Sequence, residues 1–159
     1  MVDLGCWPGG WLQIASQVVG PAGRVVGVDL APIDPPLELA NVIAIQVDLS
    51  QPGVAQTVLD ALGGPADAFL SDAAPKLTGV RATDRAREEE LLGAVSALVP
   101  QLLTPGGNAL VKLMDGPEAD AAVRSLRPLF TKAKTLRPEA SRKGTSERYF
   151  VAWDYRPAS

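Results

Sequence analysis

Short apolar runs alternate with segments of helical periodicity along most of this chain. The runs are rich in β-branched or aromatic residues, as strands covered on both faces tend to be. They occupy residues 24–29, 42–48, 66–72 and 108–113, after a first strand that ends near Asp3. Apolar residues at helical spacing lie between them, in residues 10–19, 51–62 and 83–103. This alternation predicts parallel strands joined by crossover helices.

The last third of the sequence predicts a reversal at one edge of the sheet. A further helix over residues 117–130 precedes two strands, 131–136 and 148–155. The connection between these strands is too short for a crossover helix, so they should be antiparallel neighbours. We therefore predict one α/β domain over residues 1–159, with a doubly wound, mostly parallel seven-stranded sheet and one antiparallel edge strand.

Local signals refine the long helix over residues 83–103. Thr83 with Asp84 is predicted to cap its start, and Pro105 with the two glycines that follow is predicted to stop it. Pro100 lies within the periodic pattern and should kink the helix.

Composition narrows the classes of protein that fit. The chain has 159 residues, one cysteine and no histidine, which excludes a disulfide framework and argues against a zinc site. No apolar run approaches the roughly 20 residues that span a bilayer, so we expect a cytoplasmic protein without a membrane partner. The net charge of -3 argues against nucleic-acid binding until its distribution is considered. The segment before Pro75 contains one basic and eight acidic residues, whereas the segment from Arg124 to Arg148 contains eight basic and two acidic residues.

The turn after the first strand, VDLGCWPGGW, carries the first candidate chemistry. The fingerprint GxGxxG fails because Trp7 occupies its second glycine position, and the P-loop pattern is absent. Asp29 follows the loop at a distance typical of a carboxylate that accepts ribose hydroxyls, and Asp48 ends the next strand near the expected base. A nucleoside cofactor without a pyrophosphate fits best. Packing and helix capping remain the alternative, and Cys6 is expected to be a buried filler rather than a nucleophile.

Several motifs together resemble one family. DLGCWPGGW, VDLAPID, QVDLS, SDAAP, LTPGG, VKL and SERYFVA occur in the order and spacing of the FtsJ/RrmJ family of RNA 2'-O-ribose methyltransferases. The resemblance implies a Rossmann-like methyltransferase fold, S-adenosylmethionine as cofactor and S-adenosylhomocysteine as product. Its branch that methylates a uridine ribose of large-subunit ribosomal RNA is the most similar, which implies ribosomal RNA or the large subunit as partner.

The resemblance also implies site residues. Three members of the family's Lys-Asp-Lys-Glu catalytic tetrad correspond to Asp72, Lys112 and Glu147. Cofactor contacts fall on the first loop and on later strand ends, at Gly5, Cys6, Trp7, Pro8, Gly9, Trp11, Asp29, Leu30, Asp48, Leu49 and Asp72. RNA contacts are expected at Lys76, Arg81, Arg142, Lys143 and Arg148. Tyr149, Phe150 and Trp153 are expected to pack in the sheet rather than to stack on bases.

Chemistry supports Lys112 independently of the resemblance. Methylation of a ribose hydroxyl needs a group that removes its proton or stabilises the developing negative charge. Burial at a strand end favours the neutral amine, which is a base, whereas neighbouring carboxylates favour the ammonium, which is an electrostatic partner. The sequence leaves both roles open.

The tetrad's first lysine lies upstream of the first strand in the family, and no counterpart precedes Gly5 here. We expect a shortened chain that binds cofactor, methylates RNA weakly, and is a monomer or associates weakly with itself. Two alternatives remain: a non-catalytic S-adenosylmethionine-binding module on ribosomal particles, and a small-molecule methyltransferase.

Overall fold

A computed structural model describes residues 1–137 and 147–157. Strands and helices alternate through them, as the apolar pattern predicts. The strands are β1 Val2–Leu4, β2 Val25–Asp29, β3 Val42–Gln46, β4 Ala66–Ser71, β5 Leu103–Met114, β6 Phe130–Leu136 and β7 Glu147–Tyr155. The helices are α1 Gly10–Val19, α2 Val54–Leu62, α3 Arg81–Leu102 and α4 Pro117–Leu126, followed by a 3-10 turn at Arg127–Leu129. None of these helices is both long and apolar enough to cross a membrane.

The seven strands form one sheet in the order β3-β2-β1-β4-β5-β7-β6. Strands β1 to β5 pair in parallel, and β7 runs antiparallel to both β5 and β6. This confirms the predicted fold class and the antiparallel pairing of the last two strands. The reversed strand, β7, lies one place in from the edge, because α4 carries the chain past that position to β6 and the short return then fills the gap.

The ends of α3 differ from the prediction. Thr83 does not cap the helix, which begins at Arg81 after an extended Val80. The Asp84 carboxylate instead accepts hydrogen bonds from the N–H groups of Thr78 and Gly79, at 2.6 and 3.1 Å, which lowers the pKa of Asp84. The helix ends before Pro105, as predicted. Its chain continues directly into β5, which begins at Leu103 rather than at residue 108.

The two faces of the sheet are covered unequally. Helices α2, α3 and α4 pack on one face, where the largest buried side chains include Phe69 and Phe150. On the other face, α1 buries Leu12 and Ala15 against Cys6 and the start of β2. This second cluster is smaller, and the part of its face formed by β5, β7 and β6 is only partly buried.

Candidate cofactor and catalytic site

The loop after β1 is shaped by its glycines and touches the loop after β4. Gly5 has φ +79 and donates its amide to the Val28 carbonyl at 2.8 Å. A Cβ at Gly5 would overlap the backbone of Ala73, so only glycine allows the two loops to approach this closely. Gly9 (φ +107) donates to the Cys6 carbonyl at 2.7 Å and is the N-cap residue that precedes α1. The ends of β1 and β4 therefore border one crevice at the carboxyl edge of the sheet.

Asp29 links this loop to β2. One carboxylate oxygen accepts the Trp7 amide and the other accepts the Ala31 amide, both at 2.9 Å. A carboxylate oxygen has two acceptor positions, so each retains one for a ligand. Asp29 therefore stabilises the two neighbouring loops without capping a helix, and its free acceptor positions remain for ribose hydroxyls.

Asp48 has a similar double role. Its Oδ1 accepts the Ser50 amide at 2.9 Å and the Ser50 hydroxyl at 2.7 Å, and these hydrogen bonds lower the pKa of Asp48. Within the described ranges, no hydrogen bond involves its Oδ2. That oxygen can accept from a base.

The remaining predicted cofactor residues differ in exposure. Trp7 and Leu30 are 57% and 64% exposed and flank Asp29, while Pro8 is exposed and Leu49 packs partly against the core. Large apolar surfaces around a few polar acceptors are typical of sites for flat ligands. Cys6 is buried, and burial followed by the nearby carboxylates of Asp3 and Asp29 raises the pKa of its thiol to about 12. The thiol is therefore inert filler beneath the loop.

Sequence reasoning placed Asp3 near the end of the first strand but assigned it no role in the site. Its side chain is fully buried in β1, and neither carboxylate oxygen has a hydrogen-bond partner among the described residues. Burial raises the pKa of Asp3 to about 7, and the charges of Asp72 and Asp29 add to the rise. The one signal in the sequence is an acid enclosed between Val2 and Leu4 in an otherwise apolar strand. A buried, unpaired carboxyl at this place fits a cationic ligand nearby.

Lys112 and Asp72 meet at the ends of β5 and β4. The Lys112 Nζ donates to the Asp72 carbonyl at 2.9 Å and lies 3.0 Å from Asp72 Oδ1. The lysine side chain is 10% exposed and that of Asp72 is 34% exposed. The amine is thus held beside the crevice rather than extended into solvent.

Glu147 and Tyr149 complete the surroundings of this amine. Glu147 begins β7 opposite Met114, and Tyr149 lies opposite Lys112, so all of these side chains project from the same face. Burial raises the pKa of Tyr149, and the charges of Asp72 and Glu147 raise it further. Among residues 1–137 and 147–157, no ion pair joins Glu147 to Lys112.

Trp11 ties the first loop to the last strand. Its ring stacks on that of Tyr149, with centroids 6.3 Å apart and planes 29° apart. The family resemblance implies a cofactor contact at Trp11. Trp11 is half-buried, and through its contact with Tyr149 it connects the first turn of α1 to the residues around Lys112.

A second carboxyl that the sequence did not single out lies near Lys112. Burial raises the pKa of Glu88 on α3, while the Met114 amide and the charge of Lys112 oppose this rise. From the sequence alone, the position of Glu88 in the early turns of α3 suggests only a favourable interaction with the helix dipole. Nothing in the local sequence shows that this turn of α3 folds back against the end of β5.

The predicted RNA contacts are divided by the fold. Lys76 and Arg81 are exposed near the loop after β4. Arg148 instead points toward α4, where its guanidinium lies 3.3 Å from Asp115 and 2.5 Å from Asp120. This corrects the expectation for Arg148, because two carboxylates already neutralise its charge. Arg142 and Lys143 lie outside the described residues.

Together, the acceptors and the buried carboxyl of this crevice fit a cationic nucleoside. Asp29 and Asp48 offer acceptors, Gly5 and Gly9 allow close approach of the backbone, and Asp3 supplies a buried negative charge. S-adenosylmethionine, with a ribose, a base amine and two cationic centres, matches these features.

Comparison with known proteins agrees with the geometry. The FtsJ-like methyltransferase family matches residues 1–155. A "Ribosomal RNA large subunit methyltransferase E" from Desulfatibacillum aliphaticivorans is 39% identical over 159 residues, which is 100% of this chain and 75% of the relative.

Solved structures share the fold. A ribosomal RNA methyltransferase described as putative, from Plasmodium falciparum, superposes with a TM-score of 0.82 at 24% identity, over 99% of this chain and 86% of that one. Fibrillarin from Aeropyrum pernix, solved with natively bound S-adenosyl-L-methionine, superposes with a TM-score of 0.68 at 17% identity, over 95% of this chain and 64% of that one.

Proposed function

This chain belongs to the FtsJ-like methyltransferase family, and on that premise we propose that it transfers a methyl group from S-adenosylmethionine to a uridine ribose 2'-hydroxyl of large-subunit ribosomal RNA. The observation that carries the proposal is the Lys112 amine. It is held by two contacts with Asp72 at the edge of a crevice whose acceptors suit a nucleoside.

The residues of the crevice have separate tasks in binding the cofactor. Asp29 accepts hydrogen bonds from the ribose hydroxyls, and Asp48 Oδ2 accepts from the amine of the base. Trp7 and Leu30 supply apolar surface, and Asp3 and Asp72 supply the negative potential that a cation needs. The cofactor, when bound, supplies an electrophilic methyl group.

Lys112 acts on the ribose oxygen. An ammonium has three hydrogens, and the contacts with the Asp72 carbonyl and Oδ1 use two of them. The third would be free to donate to the 2'-oxygen and to stabilise the negative charge that develops there as the hydroxyl proton passes to solvent water during methyl transfer. Asp72 orients the amine, and Glu147 adds negative charge on the same face.

We also propose that one domain over residues 1–159 carries both cofactor binding and catalysis.

Lys112→Met tests the proposal. Tritiated methyl transfer to large ribosomal subunits, measured in single turnover, should fall by about 100-fold or more, the usual effect of removing a donor to a developing oxyanion. Isothermal titration should show S-adenosylmethionine affinity within about threefold of wild type, because Lys112 contacts Asp72 and not the nucleoside acceptors.

Lys76→Met is the matched control, since it removes an exposed lysine from the loop after β4. It should raise KM for RNA and leave the single-turnover rate at saturating RNA unchanged. Equal losses of activity and cofactor affinity in Lys112→Met would contradict the assigned role. Tight cofactor binding by the wild type without any methyl transfer would instead support the non-catalytic module.

A further inference from the structure

The loop between β4 and α3, residues 72–80, begins with the residue that holds the proposed catalytic amine. The Asp72 amide donates to the Leu4 carbonyl at 3.0 Å, and the Asp72 carbonyl and carboxylate contact Lys112. Within the described part of the chain, residues 73–79 form no backbone–backbone hydrogen bond. The backbone of this loop therefore does not fix its own path.

Two side chains of α3 fasten the loop instead. Oδ1 of Asp84 accepts the Thr78 amide at 2.6 Å and the Thr78 hydroxyl at 2.7 Å, and Oδ2 accepts the Gly79 amide at 3.1 Å. Arg87, one turn further along the helix, donates its Nη1 to the Lys76 carbonyl at 2.8 Å. Hydrogen bonds to ionised groups are stronger than those between neutral groups. We call these four hydrogen bonds, from Asp84 and Arg87 to residues 76–79, the strap.

Stabilisation of α3 alone does not explain the strap. A carboxylate in the first turn of a helix can interact favourably with the helix dipole, but all three hydrogen bonds of Asp84 go to the loop outside the helix. Arg87 is a cation in the N-terminal half of α3, where the dipole does not favour it. Both side chains therefore serve the loop.

The strap is close enough along the chain to act on Asp72. Only three residues separate Asp72 from Lys76, and one of them is Pro75, whose ring fixes a backbone dihedral and restricts the residue before it. Ala73 lies against Gly5 without a hydrogen bond in the described residues, so this contact depends on how the rest of the loop is held. A shift at Lys76 would therefore be passed back to Asp72.

We propose that Asp84 and Arg87 are positioning residues for methyl transfer, which fasten the loop after β4 so that Asp72 orients the Lys112 amine toward the ribose. This inference rests on the proposed function, because it adds two residues to that reaction. Neither residue touches the reacting atoms, and both act through Asp72. Displacing a group at a reacting centre by about 1 Å can cost about 100-fold in rate, so the path of the loop matters to catalysis.

Hydrogen exchange of backbone amides, followed by NMR on the whole cofactor-free chain, tests the strap without any reaction. In Asp84→Ala, the amides of Thr78 and Gly79 lose their acceptor and should exchange faster. The Asp72 amide keeps its acceptor, the Leu4 carbonyl, yet should exchange about tenfold faster or more, because the end of β4 opens locally more often.

Single-turnover methyl transfer to large ribosomal subunits tests the role in catalysis. At saturating RNA, Asp84→Ala and Arg87→Met should each lower the rate constant by about 10- to 100-fold. S-adenosylmethionine affinity should stay within about threefold of wild type, because neither residue contacts the nucleoside acceptors. Asp84→Asn retains an oxygen for Thr78 and should recover the rate to within about fivefold of wild type. A folding defect would instead lower the amplitude of the single turnover and leave its rate constant unchanged.

Arg85→Met is the matched control for Arg87→Met. Arg85 lies on the same helix, but its Nε donates to Glu118 of α4 at 2.8 Å and not to the loop. Arg85→Met should leave both the rate constant and the exchange of the Asp72 amide within about twofold of wild type.

A double-mutant cycle tests whether the strap acts through Lys112. In the Lys112→Met background there is no amine left to orient, so Asp84→Ala should lower the remaining rate by less than about twofold. Losses that multiply in the double variant would show that Asp84 acts independently of Lys112, and would overturn the inference. Arg87→Met with Lys112→Met gives the same test if Asp84→Ala does not fold.

Two other results would overturn the inference: unchanged exchange of the Asp72 amide in both Asp84→Ala and Arg87→Met, or equal loss of rate in Arg85→Met and Arg87→Met. Failure of the proposed function is a separate outcome. If the wild type transfers no methyl group, the proposed activity is rejected, while the exchange of the Asp72 amide still decides whether the strap holds that residue.

Discussion

Replacing the buried acid of β1, Asp3→Asn, should stabilise the cofactor-free protein, and more so as the pH rises. The Asp3 carboxyl is fully buried without a hydrogen-bond partner in the described residues, and it faces the charges of Asp72 and Asp29. Its ionised form is therefore disfavoured in the folded protein. Asparagine has nearly the same shape as the protonated acid and never ionises, so it removes the charge and preserves the packing.

The size of the effect follows from the pKa of Asp3, which folding raises from 3.8 to about 7. A pKa raised on folding means that the group's contribution to stability is present in full below the unfolded value and is lost as the pH rises through about 7. Each pKa unit corresponds to about 1.4 kcal/mol, so the wild type loses about 4 kcal/mol of its free energy of unfolding at high pH. Between about pH 4.5 and 8.5, the advantage of Asp3→Asn should grow by about 3 kcal/mol.

Urea unfolding of both proteins at a series of pH values measures this difference directly, because other titrating groups are common to the two. Asp48→Asn provides a control of opposite sign. Hydrogen bonds from Ser50 lower the pKa of Asp48, so its carboxylate stabilises the fold above its ordinary pKa and loses this contribution as the pH falls. A constant difference between Asp3→Asn and wild type across the series would refute the assignment of a proton to Asp3 in the folded protein.

Two further predictions concern the same crevice. Gly5→Ala should lower the free energy of unfolding in urea by about 2 to 4 kcal/mol and abolish cofactor binding, because it combines backbone strain with overlap of Ala73. The control Gly53→Ala, at φ +86 with open space around it, should lower that free energy by about 1 to 2 kcal/mol. Equal losses in the two variants would exclude the contact between the loops as the cause. Binding of S-adenosylmethionine near pH 7 should release a proton, because a nearby cation lowers the pKa of Asp3 from about 7. Calorimetry in buffers of different ionisation enthalpy measures this release. The binding enthalpy should vary with the buffer in the wild type but not in Asp3→Asn, and identical wild-type enthalpies in all buffers would contradict the prediction.

The elements that sequence predicts well are the parallel strands at the centre of the sheet. Strand β2 appears as an apolar run because both of its faces are covered, and the ends of β2 and β4 place Asp29 and Asp72 at one edge. The meeting of Lys112 with Asp72 follows from the same rule, since parallel neighbours end at the same edge. The sequence of strands and crossover helices along the chain is enough to predict that Lys112 and Asp72 lie at the same edge.

The features that sequence missed depend on which face a residue occupies and what packs there. Trp153 and Phe150 differ by an odd number of positions on β7, and only the pairing register shows that one is buried under α3 and α4 while the other lies beside two lysines. Asp84 reaches back to the preceding loop instead of capping its own helix, because the position of that loop is set by tertiary contacts. Glu88 and Asp3 acquire raised pKa values from neighbours that are distant in sequence.

The arrangement of charge explains how an acidic chain can serve an anionic substrate. Asp3, Asp29 and Asp72 surround the crevice, and their repulsion is what a cationic cofactor relieves when it binds. The same negative potential would repel phosphates, so we expect RNA phosphates to be bound by charges set away from the crevice. Lys132 lies opposite Trp153, which is four residues along β7 from Tyr149, the neighbour of Lys112. Four residues of a strand span about 13 Å, a distance at which the carboxylates of the crevice are largely screened. The net charge of -3 therefore conceals two separate potentials, a negative one at the crevice and a positive one on β6.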